Sequence, residues 1–96
     1  MKRIQGANMQ SIEYRITDEN GIHSRPAGRI VNEAKKFEAD IRISLLRTGK
    51  TANAKKLFEI MGLGVKKEDI IKIEAESEDA AEALEAIRTV LTETGL

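Results

Sequence analysis

Gly21-Ile22-His23-Ser24-Arg25-Pro26-Ala27 holds the only histidine and the only proline of the chain. It follows a turn signal, Asp18-Glu19-Asn20-Gly21, and precedes Ala27, Ile30, Val31, Ala34 and Phe37, which recur at spacings of three and four. The histidine therefore stands where a turn becomes a helix, expected over about residues 25–37, with Ser24 or His23 as its cap. Proline is tolerated in a first helical turn, where its missing N–H would have had no partner. A helix start offers unpaired N–H groups and partial positive charge, so it suits an anion. Arg25 adds a planar cation that matches a phosphoryl group. Imidazole is a competent nucleophile near neutral pH. These residues describe a histidine able to accept, hold and release a phosphoryl group.

On the N-terminal side, Ser11-Ile12-Glu13-Tyr14-Arg15-Ile16-Thr17 alternates polar and apolar residues and reads as a half-buried strand. Residues 1–8 read as a flexible N-terminal leader, and residues 9–96 as one domain. On the C-terminal side, Asp40-Ile41-Arg42-Ile43-Ser44-Leu45 alternates again, Arg47-Thr48-Gly49 turns, and Lys50-Thr51-Ala52 returns as a short strand. Asn53 is placed to cap a short helix and Gly62 to end it with a left-handed residue. Within that helix Leu57, Phe58, Ile60 and Met61 fall in five positions and cannot all face one core. An exposed apolar cluster rimmed by Lys55 and Lys56 is expected there, a surface suited to a partner. Lys66 to Asp69 is a polar turn, Ile70 to Ala75 a strand. Ser77 is placed to cap a last helix whose stripe is Ala80, Leu84, Ile87 and Leu91 and which Gly95 ends. The order β-α-β-β-α-β-α implies an α+β two-layer domain, with helices on one face of an antiparallel sheet.

Composition narrows the function classes. Aromatic residues make up only 3% of the 96 residues, so the core must be built from Ile, Leu, Val and Ala. With no cysteine and one histidine, neither a disulfide framework nor a protein-built zinc site is expected. No apolar run approaches a membrane span, and the first residues lack the apolar region of a secretory signal. A reducing cytoplasm fits this. Net charge is zero, yet residues 1–67 carry 14 Lys and Arg against 7 Asp and Glu, while residues 68–96 carry 2 against 9. The basic part contains the histidine, which favours phosphoryl groups or acidic partner proteins. Nucleic acid is disfavoured, because no basic patch is interleaved with aromatics that could stack on bases.

From about Ser11 to Thr92 the chain resembles the histidine-containing phosphocarrier (HPr) family of the bacterial phosphoenolpyruvate-dependent sugar phosphotransferase system. One signature is Gly21 to Ala27. The second is Gly49-Lys50-Thr51, then Ala54-Lys55, Leu57-Phe58, Met61 and Leu63-Gly64. The resemblance implies an open-faced two-layer β-sandwich, with a four-stranded antiparallel sheet covered on one face by three helices. It implies that His23 takes a phosphoryl group on Nδ1 from enzyme I and passes it to a sugar-specific enzyme IIA. Ser24, Arg25 and Pro26 would then form the phosphoryl-stabilising helix start. Arg29, Lys35, Lys56, Leu57, Phe58 and Met61 would form the partner-docking surface. The implied protein is a monomeric, stoichiometric carrier without cofactor or metal. A regulatory paralogue in nitrogen-related or other signalling is the alternative, since paralogues share the site. Two departures stand out. The hairpin from Ile41 to Lys50 is about two residues longer than the family pattern. Lys56 stands where many members carry a serine that an ATP-dependent kinase phosphorylates.

Overall fold

The computed structural model describes residues 9–96; the expected leader lies outside the described residues. Four strands form one sheet: β1 (Met9–Arg15), β2 (Asp40–Leu45), β3 (Thr51–Asn53) and β4 (Ile70–Glu76). Three helices accompany them: α1 (Ser24–Ala34), α2 (Leu57–Met61) and α3 (Ala80–Glu93). The sheet order is β1-β4-β2-β3, antiparallel throughout. β4, the last strand made, is thus inserted between β1 and β2.

Alternation fixes which face is dry. Across the inner face Ile12, Ile73, Ile43 and Ala52 lie opposite one another on successive strands, and Tyr14, Ile71 and Leu45 form the next row. The outer face carries Glu13 opposite Lys72 and Glu74 opposite Arg42, pairings of opposite charge that favour this register. α1 buries Ala27, Ile30, Val31 and Ala34, and α3 buries Ala80, Ala83, Leu84, Ile87, Val90 and Leu91. The alanines let the two helices lie close together over the sheet. The largest fully buried side chains are all Ile or Leu, as three aromatics in the whole chain require.

Several element ends differ from the sequence reading. β1 runs Met9–Arg15, so Ile16 lies just past the strand, fully buried, its N–H donating to the Asp69 carbonyl at 2.8 Å. α1 stops at Ala34, and its stripe continues to Phe37 through turns in which Lys36 and Phe37 donate to Glu33 and Ala34. Asn53 does not cap α2. It ends β3, and its Oδ1 accepts the Lys55 N–H at 2.9 Å, the local side-chain turn that competes with capping. Gly62 is right-handed (φ −70°), and the left-handed residue after α2 is Gly64 (φ +71°). Ser77 precedes α3 by a turn rather than capping it. Asp79 is the cap residue, Ser77 Oγ bonds its carboxylate, and this hydrogen bond lowers the Asp79 pKa. Gly95 does end α3, with φ +79° and a bond from Leu96 N–H back to the Leu91 carbonyl at 3.0 Å.

The β2–β3 hairpin has a structural use. Arg47, in its turn, makes a bidentate contact to Asp69: Nε to Oδ1 at 2.9 Å and Nη2 to Oδ2 at 3.0 Å. Asp69 also accepts the Lys66 N–H at 2.8 Å. These hydrogen bonds, the Arg47 one first, hold the Asp69 carboxyl at about 2, below the ordinary carboxylate range. A carboxylate depressed in the folded state contributes stability that is present above its unfolded value and lost as pH falls through its folded one. Asp69→Asn should therefore lower the melting temperature at pH 7 and lessen the loss of stability between about pH 4 and pH 2. Thermal melts of both proteins across that range check this; parallel curves would remove Asp69 from the acid response.

Candidate functional site

The site begins at a turn that only glycine can make. Asp18 Oδ1 accepts the Asn20 N–H at 2.8 Å, and the Asp18 carbonyl accepts the Gly21 N–H at 3.0 Å. Gly21 then adopts φ +62° and lies against the loop between α2 and β4. A Cβ there would fall 2.0 Å from the Val65 carbonyl oxygen, the same oxygen that accepts the Ile22 N–H at 3.4 Å. Ile22 is buried and fixes the entry to α1.

His23 is the cap residue of α1, with extended backbone (φ −107°, ψ −173°), and its carbonyl accepts the Ala27 N–H at 3.0 Å. No side chain caps this helix start. The N–H groups of Ser24 and Arg25 are left to face solvent or a ligand, and Pro26 has none to offer. Pro26 is buried beneath the turn, whereas Ser24 and Arg25 are exposed. The imidazole is 43% exposed, with Nε2 3.7 Å from Asp18 Oδ2. His23, Arg25, Pro26 and Arg29 line one open depression with Asp18, Asn20, Glu93 and Thr94. Arg29 donates to Glu93 at 2.9 Å, a bridge from α1 to α3. Arg25 has no ion-pair partner among the described residues and is the cation in the depression left to meet an incoming anion.

The docking residues expected from the sequence divide into two groups. Arg29 belongs to the depression. Lys35 lies past the other end of α1, about 16 Å along an axis that rises 1.5 Å per residue, so it does not line the depression. Lys56 is the exposed cap residue of α2, a five-residue helix packed on β3 and α1. Ile60 is its one fully buried side chain; Leu57 is half-buried, Met61 is 38% exposed and Phe58 is 84% exposed. The excess of apolar residues counted in the sequence is thus resolved as expected: one anchors the helix and Phe58 stands in solvent. No helix of the described residues is long and apolar enough to cross a membrane.

The family model described as the PTS HPr component phosphorylation site matches residues 10–93. The chain belongs to the HPr family of phosphocarriers. It is 42% identical over 81 residues to the phosphocarrier protein HPr of Buchnera aphidicola, covering 84% of this chain and 93% of that one. It is 46% identical over 77 residues to the HPr of Vibrio cholerae, covering 80% and 88%. Among solved structures, the histidine-containing phosphocarrier protein of Mycoplasma superposes with a TM-score of 0.87 at 33% identity, over 91% of this chain and 97% of that chain. The HPr fold therefore accounts for the antiparallel sheet and its three helices.

Asp18, Asn20, Glu93 and Thr94 were not marked as site residues by the sequence. Asp18 and Asn20 were visible only as turn formers. Glu93 and Thr94 come from the end of α3, and nothing local to them signals the depression. The Gly21 turn is directly testable. A left-handed residue with a Cβ costs about 1–2 kcal/mol, and the Val65 carbonyl must move as well. Gly21→Ala should lower the melting temperature by at least about 4–8 °C, the shift that 1 kcal/mol gives in a domain of this size. An unchanged melting temperature would show that the turn can relax away from Val65.

Proposed function

We propose that His23 is the phosphoryl acceptor and that this HPr-family carrier takes the group from phospho-enzyme I and delivers it to sugar-specific enzyme IIA domains. The observation that carries this reading is the depression itself: an exposed imidazole, an uncapped helix start and the unpaired Arg25 guanidinium meet there. The uncapped N–H groups and Arg25 are oriented donors for the charge on a transferring phosphoryl group. The N–H groups are fixed by the helix before the partner arrives, so little reorganisation of them is left for the encounter. Each transfer is shared with the partner, and the chain acts as a stoichiometric intermediate. A phosphoryl group adds about −1.5 to −2 charge, which suits Arg25 and the helix start. With lysine at position 56, neither α2 nor its cap offers a hydroxyl for a serine kinase.

Incubation with enzyme I, Mg²⁺ and phosphoenolpyruvate, followed by intact-mass measurement, tests the acceptor. The expected result is one acid-labile phosphoryl adduct, absent from His23→Ala, which should fold normally because the side chain is not part of the core. Label persisting in His23→Ala would place the acceptor elsewhere. Arg25→Ala should melt with the unaltered protein and transfer about 10–1000-fold more slowly, or about 1.4–4 kcal/mol in barrier.

The second face of the proposal is the α2 ledge. Phe58→Ala should weaken enzyme I binding by about 1–2 kcal/mol, with Met61→Ala smaller, because an exposed aromatic is the side chain on this ledge best suited to fill a partner's pocket. Folding stability should barely change in Phe58→Ala. Calorimetric binding and a denaturant melt of the same variant separate the two effects, and unchanged affinity would move docking off this ledge.

A further inference from the structure

We propose that Asp18 is a positioning residue for phosphoryl transfer: it holds the His23 ring with its proton on Nε2 and leaves the lone pair of Nδ1 to meet phosphorus. This rests on His23 being the acceptor. The carboxylate is itself held by the turn. One oxygen accepts the Asn20 N–H at 2.8 Å, and the backbone carbonyl of the same residue accepts the Gly21 N–H at 3.0 Å. The other oxygen lies 3.7 Å from Nε2 and has no other hydrogen-bond donor among the described residues. That distance is longer than a direct hydrogen bond, and catalytic contacts of this kind are commonly long before the partner is bound and tighten in the complex. The remaining charged groups around the depression do not compete for Nε2. Arg29 and Glu93 satisfy each other at 2.9 Å, and Arg25 is left for the phosphoryl group.

A carboxylate facing one imidazole nitrogen selects the tautomer with hydrogen on that nitrogen and orients the ring. The Nδ1 lone pair then forms the bond to phosphorus, while the bond from phosphorus to the donor's leaving atom breaks and its electron pair stays with the donor. The ring becomes an N-phosphorylated imidazolium that still carries its Nε2 proton, and Asp18 balances the new positive charge. In the onward step the N–P electron pair returns to Nδ1, and the neutral ring is restored. The proton stays on Nε2 in both directions, so neither transfer waits for solvent to supply or remove one.

Asp18→Asn separates this role from turn-making, because the amide oxygen can still accept the Asn20 N–H while the charge is gone. Asp18→Ala removes both. With one histidine in the chain, ¹⁵N chemical shifts of its ring report the tautomer without ambiguity. In the neutral unaltered protein the Nε2–H form should predominate. In Asp18→Asn the Nδ1–H form should gain population, and transfer from enzyme I should slow by about 10–100-fold with the melting temperature kept. A predominant Nδ1–H form in the unaltered protein overturns the proposal whether or not any variant folds. So does an Asp18→Asn protein with unaltered ring shifts and rate. Failure of the unaltered protein to take label on His23 is a different result: it removes the acceptor reading, and the ring shifts still decide whether Asp18 sets the tautomer.

Discussion

The backbone contact between Gly21 and the Val65 carbonyl is the constraint on which the site depends. Nothing but hydrogen fits between them. This contact joins the turn before His23 to the loop before β4, the strand that holds the middle of the sheet. The loop is in turn secured by Asp69, which takes Arg47 from the far hairpin, the Lys66 N–H from its own loop and, through its carbonyl, the Ile16 N–H at the end of β1. A line of polar contacts thus runs from the β2–β3 hairpin to the histidine turn without passing through the core. The aliphatic core sets the layers of the fold, and these contacts set the position of the ring relative to them.

Groups left without partners carry the proposed function. Two of the C-terminal helix ends are closed locally: α3 by the glycine turn at Gly95, and the turns after α1 by Lys55, whose Nζ donates to the Phe37 carbonyl at 2.8 Å. None of the three helix starts carries a side-chain cap hydrogen bond, and the open start of α1 is the one that the histidine occupies. Arg25 likewise has no ion-pair partner among the described residues, while the neighbouring Arg29 is paired with Glu93. Phe58 gives up burial that a monomer would gain by turning it inward. In the proposed function these are the groups that an incoming anion or partner surface would engage.

Much of this was legible because period and burial agree. The alternations of β2 and β4 and the stripe of α3 point to their buried faces residue by residue, and the His23 turn is marked by its own chemistry. The misplacements share one cause: two conformations use the same residue. Asn53 bonds an N–H two positions on, whether it begins a helix or closes a turn. Gly62 and Gly64 are equally able to be left-handed, and nothing in their local sequence says that it is Gly64 that takes that conformation. Partners distant in sequence were invisible. Nothing near Arg47 announces Asp69, and nothing near Arg29 announces Glu93. Asp18 was legible as a turn former, but the approach of its second oxygen to His23 Nε2 at 3.7 Å was not.

In the proposed function the one histidine of the chain, its side chain 43% exposed, carries one phosphoryl group at a time. Donor and recipient must each bring phosphorus or its acceptor to the same ring nitrogen, so the two cannot be bound together. Exchange then follows a ping-pong order, with a free phosphorylated carrier diffusing between the two encounters. During that interval no partner shields the N–P bond from water. Its lifetime must outlast the search for the next partner, and only the oriented donors of the site itself are present to protect it.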